Sequence, residues 1–501
     1  MRIEYRQSRW RNAREFLEPL IFELKDEKPT EIPPIEELPE NVRRKHISIP
    51  NLSEPEVVRH YVRLSKMNYG IDDGPYWLGS CTMKYNPKVC EVVASWDEVK
   101  WVHPDQPIDT VQGCLKLMYE LSNLLRMITD LDKFSFQPMA GAHGEYTGCL
   151  IIRKYHEDRG EERDEIIIPD SAHGTNFASA AMAGFKVIRI PAYKDGTIDI
   201  EALESAISDK TAGMMVTNPN TLGIYEDELD VISNLIHEAG GLMYYDGANF
   251  NALIGRVSLK KMGIDIAHLN LHKTFATPHG AGGPGAGAIG VVEKLYEYLP
   301  VPVVEYDGKK YYLRYDLPRT VGKVSGYYGN FSVLVKAYLY LIMLGWEGLE
   351  AVSGISVLNS NYAYVKASKI EGLKPEYGEN KIRKHEFVLS SAELFRKKGI
   401  RAGDIAKRLM DYGYHPPTIY FPPIVKEALM FEPTETESKS EIDGYIEALK
   451  RIVNEDPEIL KNAPYNTAIG RLDEVRAVKD MILSWKMMKE GSSPGRIRNR
   501  R

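Results

Sequence analysis

His272 and Lys273 stand side by side at the end of a segment, Ile264 to Leu271, that alternates apolar and polar residues. That alternation predicts a strand, so the pair is delivered at a strand end, where α/β proteins place reacting groups. A lysine held there can form a Schiff base once its ammonium is desolvated. Alone, the pair better suits a solvated lysine ahead of a glycine-rich turn, since a glycine-rich loop, Gly280 to Gly290, follows. Three other stretches add to it. Ala140-Gly141-Ala142-His143-Gly144 falls between a strand and a helix. Backbone amides at such a helix start bind a phosphate or another anion, although a tight turn also wants glycine. His173 ends a further strand, where it could stack on an aromatic ring, act as acid or base, or satisfy a turn. Asp246, in Tyr245-Asp246-Gly247-Ala248-Asn249, ends another, and its carboxylate could cap a helix or keep a pyridinium nitrogen protonated.

Joined, these are the parts that pyridoxal phosphate (PLP) requires: amides for the phosphate, a stacking face, an acid partner for the ring nitrogen and a lysine for the aldehyde. Their order along the chain is that of fold-type I PLP enzymes.

The elements that must position them read as follows. From about 131 to 300, strands and helices alternate, which predicts βαβ units and a mostly parallel sheet. Strands are expected at Phe134 to Gln137, Glu165 to Pro169, Phe185 to Ile190, Gly213 to Thr217 and Gly241 to Tyr245. Helices are expected from about Thr110 to Ile128, after the glycine loop to His156, at Asn176 to Ala183, and at Glu226 to Ala239. Upstream, Ser53 and Glu56 form a capping box with Pro55 in the first turn, and Val57, Tyr61 and Leu64 give that helix an apolar face. Gly70 to Pro87 has no period, yet its apolar members predict that it packs against something. Beyond about 346, strands near Ile382 to Leu389 and Thr418 to Phe421 alternate with helices at Ala402 to Tyr412 and Ser440 to Val453. The expected organisation is an N-terminal arm and helices over 1–110, a large cofactor-binding α/β domain over 111–345, a small α+β domain over 346–490, and a basic tail over 491–501.

Composition is that of a globular chain: 501 residues, 43% hydrophobic, 27% charged. The formal net charge of −6 gives no general attraction to nucleic acid. Cys81, Cys90, Cys114 and Cys149 lack a CxxC spacing and read as buried, reduced thiols, which suits a cytoplasmic setting. No secretory signal is visible in Met1 to Trp10, and the apolar run Ala337 to Trp346 is too short for a bilayer and reads as a buried helix. No metal site is expected.

The longer motifs are Leu78-Gly-Ser-Cys-Thr-Met-Lys-Tyr-Asn-Pro87, Pro169-Asp-Ser-Ala-His-Gly-Thr-Asn176, Asp246-Gly-Ala-Asn249, Leu269-Asn-Leu-His-Lys-Thr-Phe275, Pro278-His-Gly280 and Glu432-Pro-Thr-Glu-Thr-Glu-Ser438. With them the chain, from about His46 to Glu437, resembles the P-protein family of the glycine cleavage system, and within it the lysine-bearing subunit of the two-subunit form. The resemblance implies PLP-dependent decarboxylation of glycine, with transfer of the aminomethyl group to the lipoyl arm of H-protein. It implies that Lys273 carries PLP, His173 stacks on the ring, Asp246 holds the ring nitrogen and Ala248 packs beneath. Gly141, Ala142, His143 and His272 would surround the phosphate, and Thr217 or Asn218 would reach the ring hydroxyl. A separate subunit 1 is implied, in an assembly of two of each, with the N-terminal arm and the loops before residue 110 as contact surfaces. Trp77, Met139, His143, Phe177, Leu222 and Ala281 depart from the family pattern. The other readings are a different fold-type I lyase or decarboxylase, and a non-catalytic structural subunit. A desulfurase needs a mobile cysteine in the second half of the chain, whereas all four lie before residue 150.

Overall fold

The computed structural model describes residues 18–24, 30–31, 39–43, 46–47, 50–278 and 285–490. His279 to Pro284 of the glycine-rich stretch, with Gly280 and Ala281, lie outside the described residues, as do the basic tail 491–501 and most of the N-terminal arm. The chain divides into two compact units: one formed by residues 74–403 and 415–454, the other by the segments up to 73, 404–414 and from 455 onward.

The larger unit is built on seven strands: β1 Lys133–Ser135, β2 Glu165–Pro169, β3 Lys186–Ile190, β4 Thr211–Thr217, β5 Leu242–Gly247, β6 Ile266–Asn270 and β7 Gly287–Val291. Their order across the sheet is β1-β7-β6-β5-β4-β2-β3. β7 runs antiparallel to both neighbours, and every other pair of adjacent strands is parallel. The central strands are buried along their whole length, as a sheet covered on both faces demands. Successive residues nevertheless serve different cores. Met214, Val216, Met243, Tyr245, Ala267 and Leu269 enter one apolar cluster, whereas Met215, Leu242, Tyr244 and Ile266 enter another. This is strand alternation with both faces apolar, each buried large side chain stabilising the fold by about 1.5–3 kcal/mol.

Four helices matter for the site or the cores: α1 Gln112–Thr129, α2 Gly141–Asp158, α3 Gly174–Met182 and α4 Leu229–Glu238. α2 lies flush on the sheet because glycines recur where it meets large side chains. An added Cβ would come within 2.6 Å of Asn270 at Gly141, 2.7 Å of His268 at Gly144 and 2.1 Å of the Tyr244 ring at Gly148. The helix begins at Gly141 itself, so the glycines expected in a loop form its packing face.

A fifth helix, α5 Phe331–Ala367, is interrupted at Gly345 (φ 59°, ψ −172°). Among the described residues it is the one helix long and apolar enough, by length and composition, to cross a membrane. Here Val333, Leu334, Ala337, Leu341, Leu349 and Val352 pack into the core of the unit. The run Ala337 to Trp346, expected to be buried, is so on one side alone. Ile342, Met343 and Trp346 are about half exposed, because the 3.6-residue period turns them outward.

A second sheet in the same unit holds β8 Phe387–Ser390, β9 Thr418–Ile419 and β10 Ala428–Phe431, in the antiparallel order β8-β10-β9. The strand expected from Ile382 starts at Phe387, and Ile382 is exposed. Gly74 to Pro87 does pack. Trp77 is fully buried and stacks on Tyr445 at 4.1 Å, and Leu78 forms a bridge with Phe431.

In the smaller unit, helix Glu54–Ser65 opens with the expected capping box, Ser53 N donating to Glu56 Oε2 at 2.7 Å. Its buried face differs from expectation, for Tyr61 is exposed. His60 is buried instead, because its ring and Arg63 share the carboxylate of Glu18.

Candidate active site

Parallel strands point their C-terminal ends the same way, and the candidate residues lie there. Lys273 follows β6, His173 follows β2, Thr217 and Asp246 close β4 and β5, and the first turn of α2 follows β1. Register sets a row across the sheet, with Thr217 opposite Asp246 and Asp246 opposite His268.

Asp246 is buried and well provided with donors. Its Oδ1 accepts from Ala248 N (2.9 Å), its Oδ2 from Asn176 Nδ2 (3.0 Å) and Thr217 Oγ1 (3.3 Å), and His268 Nε2 lies 3.3 Å from Oδ1. Burial pushes this carboxyl up, but His268, the Ala248 amide, Asn176 and Lys273 together bring it below its ordinary value. It is therefore a carboxylate at neutral pH.

Its neighbour Glu145, on α2, behaves oppositely. Burial and the charge of Asp246 push Glu145 up to about 8, so it is protonated near neutrality. Thr175 Oγ1 lies 2.8 Å from Glu145 Oε1 and 2.8 Å from His173 Nδ1, which also accepts from Thr175 N at 3.2 Å. His173 caps α3 in this way. Burial lowers its pKa against the pull of Asp246, which leaves a neutral ring.

Lys273 is half-buried, and its Nζ donates to Ser80 O at 2.7 Å. Its charge acts on Asp246, Glu145 and His173, and also on Glu386 and Glu432.

The anion end is built around α2. The first bond of the helix ladder runs from Gly144 N to Ala140 O, so the amides of Gly141, Ala142 and His143 form its N-terminal turn. Gly141 is buried and Ala142 exposed. His143 Nδ1 accepts from Met139 N at 3.2 Å. His272 is tied to this end, since Asn270, which crowds Gly141, lies 3.2 Å from His272 Nε2.

The structure thus brings Lys273, His173, Asp246 and Ala248 together, with Gly141, Ala142, His143 and His272 at the adjoining helix start. Asn218 points elsewhere: its side chain exchanges hydrogen bonds with the Glu226 backbone, and Thr217 is engaged by Asp246. Sequence reasoning missed Glu145, Asn176, His268, Glu386 and Glu432. His268 had a signal, because His268 and Asn270 lie two apart on β6 and so share a face with the strand end.

Comparison with known proteins follows the same lines. Residues 146–285 match the family described as aminotransferase class-V, and residues 352–469 match the glycine dehydrogenase C-terminal domain. A "probable glycine dehydrogenase (decarboxylating) subunit 2" of Pyrococcus abyssi is 54% identical over 510 residues, covering 98% of this chain and 99% of that one. The chain belongs to the glycine dehydrogenase (decarboxylating) subunit 2 family. Another relative bearing that name, from Caldanaerobacter subterraneus, is 53% identical over 482 residues, covering 93% of this chain and 98% of that one. Among solved structures, an inhibitor-bound glycine decarboxylase (P-protein) superposes with a TM-score of 0.70 at 21% identity, covering 83% of this chain and 93% of that one. At that identity the likeness shows the fold, which is that of the fold-type I PLP enzymes.

Proposed function

We propose that this chain decarboxylates glycine with bound PLP and passes the aminomethyl group to a lipoyl arm, acting with a subunit 1 partner. The observation that carries the chemistry is the convergence of an ionised, buried Asp246, a neutral His173 and the Lys273 amine at the C-terminal ends of β5, β2 and β6 in one sheet. The substrate comes from the family, whose members are named for glycine.

The donor set fits PLP. Asp246 would hold the pyridine nitrogen, His173 the ring face, Lys273 the aldehyde carbon, and the amides of Gly141, Ala142 and His143 the phosphate, with His272 beside them and Ala248 beneath the ring. When bound, PLP supplies the sink for the electrons released as the carboxylate leaves. The protein's own work lies in fixing charges. Asp246 stays anionic through three hydrogen bonds and the nearby His268 and Lys273, which keeps a proton on whatever nitrogen faces it. Thr175 orients the His173 ring through two contacts on its Nδ1, and the row Thr217–Asp246–His268 gives the carboxylate one position. Cys90 and Cys149 are buried and Cys81 and Cys114 only partly so, and so sparse a set of cysteines supports a reducing, cytoplasmic setting. The partner proteins proposed are subunit 1, as a tetramer of two of each, and lipoylated H-protein.

The test is an absorption spectrum of the purified chain with PLP, native and Lys273→Ala, before and after glycine. A visible band that responds to glycine and is lost in the variant is expected. Exchange of labelled CO₂ into glycine, with subunit 1 and lipoylated H-protein added, then tests the reaction. A spectrum identical in the two proteins would refute the assignment of Lys273.

A further inference from the structure

Within the field of Lys273 lies a buried group that the assignments above do not use. His385, Glu386 and Glu432 are fully buried, and one donor atom from each lies within 4.8 Å of the other two. Both ring nitrogens of His385 and Oε1 of Glu432 have no hydrogen-bond partner among the described residues. The nearest carboxylate oxygens to His385 Nε2 are 3.7 Å away on Glu432 and 3.9 Å on Glu386. The two carboxylates grip one loop. Ser80 N donates to Glu386 Oε2 and Thr82 N to Glu432 Oε2, both at 2.8 Å. Ser80 and Thr82 hold positive φ angles, 66° and 47°, that non-glycine residues adopt only under constraint. The carbonyl of the same Ser80 takes the Lys273 ammonium.

We propose that Glu386 and Glu432 form the berth of the Lys273 amine whenever it is not joined to the cofactor. They fix the Ser80 carbonyl that receives it and keep one shared negative charge beside it. The inference rests on Lys273 being the cofactor lysine. Both glutamates are positioning residues, acting on the lysine through the loop and through their field.

One charge, rather than two or none, follows from the surroundings. Burial and the neighbouring Glu432 raise Glu386, and burial raises Glu432 to about 7, so the pair retains a proton near neutrality. Both oxygens of Glu386 accept N–H donors, from Ser80 and from Asn249 Nδ2 (3.2 Å), whereas Glu432 Oε1 is open to carry the proton. The other groups facing the pair are His385, neutral because burial lowers it to about 3, the Cys81 thiol, pushed up to about 11, and Glu435, which is held by Lys84. None of these supplies the compensating charge.

The test is competitive amine acylation of the full chain stripped of cofactor, read at Lys273 by peptide mass spectrometry at pH 7.5. Glu386→Gln and Glu432→Gln singly should change Lys273 labelling by less than about threefold, since the remaining glutamate carries the charge. The double variant should label faster by on the order of tenfold, as loss of a nearby buried charge requires. A double variant within about twofold of the native chain overturns the berth, and a single variant as reactive as the double overturns the sharing. If the double variant does not fold, the native pH profile decides. A step in Lys273 labelling near pH 7, absent from surface lysines, is expected, and a simple one-site rise overturns the proposal. PLP added to the native chain should protect Lys273. If it does not, the cofactor assignment fails while the labelling result remains readable.

Discussion

Asp246 and Glu145 are both buried carboxyls, yet their surroundings set them to opposite states. Asp246 has donors on both oxygens and a lysine nearby, whereas Glu145 faces the charge of Asp246 and two hydroxyls. Asp246→Asn keeps the shape and removes the charge, so glycine–CO₂ exchange should fall on the order of 100-fold or more while PLP still binds. Full activity in that variant would remove Asp246 from the proposed mechanism. Glu145→Gln mimics the protonated side chain and should cost less than about threefold at pH 7. Above pH 8 the native chain should lose activity that this variant keeps, which rate–pH profiles of the two proteins would reveal. Lys273, His173 and Asp246 were legible in the sequence because a cofactor needs distinct residue types in a set order. Glu386 and Glu432 were not, since their role depends on a loop far away in the chain.

At the scale of elements, six of the seven strands of the main sheet and the capped helix were readable from period, glycines and caps, because local chemistry dictates them. β7, Gly287–Val291, lay in the stretch read as a glycine-rich loop and becomes a strand through its two neighbours in the sheet. β10 was missed, being a four-residue apolar run that becomes a strand through its partners on both sides. The glycines of α2 were read as a loop for anions, and their larger task is steric. Gly148→Ala would drive a methyl group into the Tyr244 ring, where 2.1 Å leaves no room. We expect a loss of about 1–3 kcal/mol, read as an earlier urea midpoint, despite the better helix propensity of alanine. Gly113→Ala in α1, where a Cβ meets nothing within 4 Å, is the control and should stabilise slightly.

Over the whole molecule, the buried carboxyls determine how stability depends on pH. Glu226 is raised by burial to about 7, Glu145 to about 8 and Glu432 to about 7, with Glu386 also raised. Each binds its proton more tightly folded than unfolded, so its contribution is fully present below about pH 4.5 and disappears as pH rises through the folded value. For Glu226 alone this amounts to on the order of 3 kcal/mol. Urea unfolding should therefore show lower stability at pH 8.5 than at pH 6, and Glu226→Gln should flatten part of that slope. The clamp on the Ser80 loop also bears on how the protein is made. Ser80 meets a residue 306 positions later, and Thr82 one 350 positions later. When the ribosome has released Lys273, roughly 160 residues must still be translated before Glu432 appears, which at about 5–20 residues per second takes on the order of ten seconds. For most of that interval the nascent chain has its lysine and, once β7 has followed, every strand of its main sheet, but no clamped loop to receive the amine. The berth proposed for Lys273 therefore waits on the last third of synthesis.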